Sequence, residues 1–162
     1  MTVVSNTSPI TNLAAVGQLN LLQQLYGSII ISQAVYDEMA GLGYTVPGTI
    51  EVQTLPWIQT RRVINRTLVT ELQIEVDEGE SEAIALAVEL VAERLLIDDY
   101  AGRVAASRFG LNLTGILGVL LVAKHRGFIP TVKPVMDDLI AQAGFRISNQ
   151  LYADVLQSAA EY

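Results

Sequence analysis

The chain has 162 residues, 51% of them hydrophobic, with a net charge of −7, no cysteine and a single histidine, His125. That length suits one domain over residues 1–162, and the absence of cysteine excludes disulfides and thiolate metal sites, as in a protein of the reducing cytoplasm. The acidic balance argues against a passive nucleic-acid binder but leaves room for an enzyme whose clustered carboxylates work through metal ions.

In chain order, Val3-Val4 reads as a short buried strand. Pro9 suits the first helical position, which makes Ser8 the expected cap of a helix to about Val16, and residues 19–25 are helical in period. Residues 28–31 form the next strand, with Ser32 capping a helix to about Ala40. Glycines and prolines over residues 41–56 predict a loop, with an edge strand near Trp57. Helices are expected over 67–76 and 79–93, then a compact apolar strand, Leu95-Leu96-Ile97, that stops at Asp98-Asp99. A helix over 100–108 and a strand over 111–113 follow, and Thr114 caps an apolar helix to His125. The longest apolar run, residues 115–123, is ended by Lys124 and is too short for a membrane span. The N-terminus lacks the basic region of a signal peptide. Two amphipathic helices, 132–142 and 148–159, close the chain. Strands alternating with helices predict an α/β fold with a parallel sheet covered on both faces.

In such a sheet, ligands collect at the carboxyl ends of the strands, where strand order reverses. Asn6 ends the first strand and Asp98-Asp99 ends the "LLI" strand. At about 100° per residue, "GESEAIALAVELV" has a broad apolar face; Glu80 falls near its middle, Glu82 towards its edge, and Glu78 and Glu89 opposite. The same test on "SQAVYDEMAG" turns Val35, Met39 and Leu42 inward, sets Glu38 beside them and points Asp37 to solvent. Each acid has a plainer reading: Asp77 and Glu80 as a capping box, Asp98 or Asp99 as a helix cap, Arg103 as a surface ion pair with Asp99. It is the convergence of four positions that favours a site. Carboxyl and amide oxygens without histidine or cysteine suit a hard cation, Mg²⁺ or Mn²⁺, which keeps waters for substrate phosphate to displace.

With these residues in view, the sequence resembles PIN-domain proteins, and among them a bacterial branch related to VapC-type toxin ribonucleases. "VVSNTSPI", "ISQAVYDEM", "GESEAIALA" and "LLIDDYAGRVA" match the four acid-bearing segments in order, and "TGILGVLLVAKHRGFIP" resembles the helix that follows. The resemblance covers nearly the whole chain. It implies a three-layer α/β/α fold with a short, mostly parallel sheet, Mg²⁺- or Mn²⁺-dependent RNA cleavage, and a toxin role with a small antitoxin partner and a homodimeric or higher assembly. By position it implies Asn6, Glu38, Glu80 and Asp98 as site residues, with Glu82 and Asp99 as unranked neighbours and Ser8, Arg103 and Thr114 behind them. The departure is Asn6, where PIN nucleases usually have aspartate; asparagine offers a carbonyl oxygen without charge. Arg61, Arg62 and Arg66 are basic residues that an RNA strand would meet, or simply a solvated loop.

The competing reading is a degenerate module that binds a partner protein or RNA without cleavage. A hydrolase with Ser81, Asp98 or Asp99, and His125 has the right residue order, but its serine must follow a buried strand, and "TELQIEVDE" is helical in period. "GLGYTV" at Gly41 lacks the third glycine of a dinucleotide loop. Tyr26, Trp57, Tyr152 and Tyr162 are contact residues for a partner or ordinary packing.

Overall fold

The computed structural model describes residues 1–162. Five short strands, β1 (Val3–Ser5), β2 (Ile29–Ser32), β3 (Ile58–Arg61), β4 (Arg94–Leu96) and β5 (Leu113–Thr114), form one sheet in the order β3-β2-β1-β4-β5, and every pairing is parallel. Side chains alternate across a strand, so successive residues serve different layers. Val3, Ile29, Ile31 and Leu96 enter one core, and Val4, Ile30, Leu95 and Ile97 enter the other. The first core is covered by α1 (Thr7–Ala15), α2 (Asn20–Tyr26), α3 (Gln33–Ala40), α4 (Thr49–Thr54), α8 (Ile116–His125), α9 (Lys133–Gln142) and α10 (Asn149–Ser158). The second is covered by α5 (Arg66–Leu72), α6 (Glu78–Glu89) and α7 (Tyr100–Ser107). The result is the expected α/β/α sandwich. No helix is long and apolar enough to cross a membrane.

The chain builds β1, β2 and β3 outward in one direction, then returns to the other side of β1 for β4. The reversal lies between β1 and β4, the position where parallel sheets open a crevice. Ser5 pairs with Leu96, and the Asn6 N–H donates to the Leu96 carbonyl at 2.9 Å. Asn6 and the start of Ile97-Asp98 therefore emerge side by side.

Several local expectations are corrected. Helix α1 begins at Thr7, with Asn6 rather than Ser8 in the capping position and Pro9 in the first turn, although the Asn6 side chain makes no cap bond. Ser32 does cap α3, accepting from Val35 N at 3.1 Å. Residues 41–56 contain a helix, α4, whose start at Gly48 has φ of 96° and whose only buried residues are Thr49 and Val52, too few to write a period. Leu42 lies beyond the end of α3 and is exposed, not inward. Thr114 belongs to β5, and the capping position of α8 is Gly115. Tyr26, Trp57 and Tyr152 pack against the first core, whereas Tyr162 is 99% exposed.

Helix α6 ends in a Schellman turn. Val91 N donates to Val88 O and Ala92 N to Ala87 O, with Val91 at φ 50°. A β-branched residue is poorly suited to that left-handed position, and Val91 is 83% exposed, so its side chain contributes little packing in return. Val91→Gly is expected to raise stability by about 1 kcal/mol in thermal or urea unfolding; an unchanged midpoint would show the strain to be absent.

Candidate functional site

The site is assembled from strand ends and helix starts. Asp77 is the cap of α6, accepting from Glu80 N at 2.8 Å, and Asp99 is the cap of α7, accepting from Gly102 N at 2.9 Å. These caps place Glu80 in the first turn of α6, where its carboxyl meets that of Asp99. Glu80 is pushed up from its ordinary 4.5 to about 7. Loss of water contacts is the largest cause; the charges of Asp77 and Asp99 follow, Asp77's backbone N–H works the other way, and a hydrogen bond shared with Asp99 adds to the rise. The capping relation between Asp77 and Glu80 is thus real, and it does not account for Glu80 facing a second carboxylate. Two carboxylates that close need a proton or a cation between them.

Glu38 is held at the rim of the same helix start. Its Oε2 accepts from the Thr7 hydroxyl at 2.6 Å. Burial raises its pKa, the Thr7 hydroxyl lowers it, and the charges of Asp77 and Glu78 raise it further. Gly79 makes this approach feasible: a Cβ there would stand 1.8 Å from Glu38 Oε1. The carboxylate is the free end of a flexible side chain, so Gly79→Ala is expected to displace Glu38 while changing stability by no more than about 1 kcal/mol. A crystal structure of the variant beside its melting curve checks this. Loss of fold, or Glu38 left in place against Thr7, would contradict it.

Asp98 is tied to the start of α8. Its Oδ1 accepts from Ile116 N at 3.0 Å, and its Oδ2 is buried without a hydrogen-bond partner. Burial holds its carboxyl above the usual range, against the pull of the Ile116 N–H and the Arg103 charge. Arg103 donates to the Ile97 carbonyl at 2.8 Å and forms no ion pair with Asp99, which corrects the surface-pair expectation. Gly115 leaves room for Asp98, since a Cβ there would lie 2.5 Å from Oδ1.

Glu82 is turned away from these residues. It is 4% exposed, with Oε1 accepting from Ala34 N at 3.0 Å and Oε2 from Arg66 at 2.7 Å. The expected facing is reversed here: Glu82 is the buried acid of α6, and Glu80 is half-buried. Ser8 is half-buried in α1, and the Thr114 hydroxyl accepts from Arg94. Ser81 lies inside α6, 0% exposed and without a hydrogen-bond partner, so no nucleophile elbow exists. Gly41 ends α3 and forms no phosphate loop.

The structure therefore brings Glu80 and Asp99 into direct contact, sets Glu38 against the start of the same helix, and places Asn6, 4% exposed, and Asp98 at adjacent strand ends. No three acidic or histidine side chains form a group that holds an ion on its own. Mg²⁺ does not demand one, since it is usually bound by one or two carboxylates and completes its shell with water and phosphate oxygens. The Glu80–Asp99 pair and the partnerless Asp98 Oδ2 fit that chemistry as oxygen donors. Sequence reasoning missed Thr7 and Gly79. The signal for Gly79 was a helix-weakening residue kept inside a helical first turn; Thr7 had none beyond its hydroxyl.

A family model described as a PIN domain matches residues 2–161 of the chain. No curated protein matches it.

Proposed function

The chain belongs to the PIN-domain family, and from that premise we propose that it is a Mg²⁺- or Mn²⁺-dependent ribonuclease, the toxin of a toxin–antitoxin pair. Family membership supports a nuclease-type activity, and the observation that carries the finer reading is the Glu80–Asp99 carboxyl pair beside the β1–β4 switch point. The ion would be held by Glu80 and Asp99, with Asp98, Glu38 and the Asn6 carbonyl oxygen as the neighbouring donors. When bound it supplies a Lewis acid for the phosphodiester and lowers the pKa of water. Without the ion Glu80 holds its proton up to about pH 7, and a bound cation would take that proton's place beside Asp99. Thr7 and Gly79 fix Glu38, and the caps Asp77 and Asp99 fix the helix starts from which the acids project.

Mn²⁺-dependent cleavage of assorted RNAs by wild type and Asp98→Ala tests this reading. Cleavage by wild type that falls to background in the variant supports it; equal background rates for both would sink it. A degenerate, binding-only module is favoured by one specific observation, the neutral Asn6 at the end of β1. RNA or partner binding without cleavage is its signature. A small antitoxin and a homodimer belong to the same proposal, and co-purification with the product of an adjacent short reading frame, followed by mass measurement, tests both.

A further inference from the structure

A cavity of about 590 Å³ opens along the β4–β5 edge of the sheet, between α8 and the segment that leads into α10. Its volume lies within the ~300–1,000 Å³ of small-molecule sites. Arg94, Arg103 and Arg146 line it, on a chain with only ten lysines and arginines and a net charge of −7. Leu117, Phe145 and Leu151 supply an apolar wall. Asp98 stands at one end; Arg94 is four residues earlier on the extended chain, roughly 13 Å away at ~3.3 Å per residue. The buried Arg94 Nε has no acceptor. Arg94 Nη1 donates to the Thr114 hydroxyl, which leaves Nη2, unbonded and not fully buried, as the guanidinium donor for an anionic oxygen in the cavity.

The pocket that holds Arg62 and Arg66 does not offer this. Arg62 and Arg66 line a smaller pocket together with Asp37, Glu78 and Glu82, and Arg66 is already paired with Glu82. The cavity by the β4–β5 edge has one acid against three arginines.

We propose that this cavity is a subsite for one nucleotide of single-stranded RNA, with its phosphate at Arg94 and Arg146 and its base against Phe145 and Leu117. Guanidinium groups beside an aromatic face are the combination that holds an unpaired nucleotide. An acidic peptide would satisfy the arginines but would use the Phe145 wall only if it also carried an aromatic side chain, whereas every nucleotide brings a flat base beside its phosphate. The inference rests on the ribonuclease reading for its choice of RNA, and it adds where the strand lies: it leaves the Asp98 end of the carboxylate site along the β4–β5 edge.

The test is fluorescence anisotropy with a labelled single-stranded RNA of about five nucleotides in low-salt, chelator-containing buffer, so that binding is read without metal or cleavage. Arg146→Glu and Phe145→Ala are expected to weaken binding about tenfold or more, and Arg108→Glu, the same charge change at the exposed far end of α7, by less than about threefold. Phe145 packs partly on the core, so the exposed Arg146 carries the decision if that variant unfolds. Unchanged binding by Arg146→Glu, or equal weakening by Arg108→Glu, would overturn the subsite. So would a polyglutamate peptide that competes as well as unlabelled RNA, which would make the occupant an acidic protein segment. Wild-type cleavage in Mn²⁺ with an unchanged KM in Arg146→Glu would remove the subsite and leave the nuclease. Selective loss of binding in Arg146→Glu, with no cleavage by wild type, would leave the subsite and remove the nuclease.

Discussion

Glu80→Gln is expected to make the metal-free protein more stable above pH 7 while cutting RNA cleavage about a hundredfold or more. The folded protein holds the Glu80 proton more tightly than the unfolded chain does, at about 7 against an ordinary 4.5. Stability from this group is therefore fully present below about pH 4.5 and is lost as pH rises through 7. Glutamine stays neutral throughout, so the variant and wild type should melt together near pH 4.5 and separate above pH 7. Solvent screening of this half-buried side chain limits the gain to about 1 kcal/mol, or about 2–4 °C in Tm. Asp98 and Glu38 are also raised, and they contribute equally to both proteins, so the difference isolates Glu80. A cation competes with the proton, so Mn²⁺ should stabilise wild type more at pH 8 than at pH 5.5 and do little for the variant. Parallel melting profiles and full cleavage by Glu80→Gln would take Glu80 out of the site.

Glu82, two residues along the same helix, should behave in the opposite way. Removing its carboxylate in Glu82→Ala leaves the buried Ala34 N–H without an acceptor and Arg66 without its partner. The expected cost is about 2–3 kcal/mol, a fall of roughly 5–10 °C, at neutral pH. Half-exposed Arg66 is rehydrated, which keeps the cost below that of breaking a fully buried pair. Glu82→Gln retains an acceptor for Ala34 and should lose less, with its Mn²⁺ response intact. Normal stability together with lost cleavage in Glu82→Ala would reverse the roles assigned to the two acids.

That contrast also shows how far the sequence could be read. The strands were legible because parallel strands buried on both faces are continuous apolar runs, as in Ile29-Ile30-Ile31. Asn6 and Asp98 were legible as strand ends, which is a matter of order along the chain. The facing of α6 was not. Facing arguments assume one wet side, and α6 touches β1, β2 and β4 as well as α3, α5 and α7. From Gly79 to Ala87 every residue except Glu80 is buried. A helix enclosed on nearly all sides has no stripe for a 100° period to find, so Glu80 and Glu82 exchanged places. The pairing of Glu80 with Asp99 rather than Asp98 depends on which residue caps α7, and adjacent aspartates look alike in one dimension. Helix α4, with two buried residues, left no pattern at all.

The bond from Glu82 to Ala34 has a consequence for how the cleft keeps its shape. It joins the first turn of α3, the helix that carries Glu38, to the middle of α6, the helix that carries Glu80. The wall behind the acids is cross-braced, so their separation is set by the scaffold before anything enters. An incoming ion or strand meets a gauge already cut to size, and a poorly fitting guest must adapt to it.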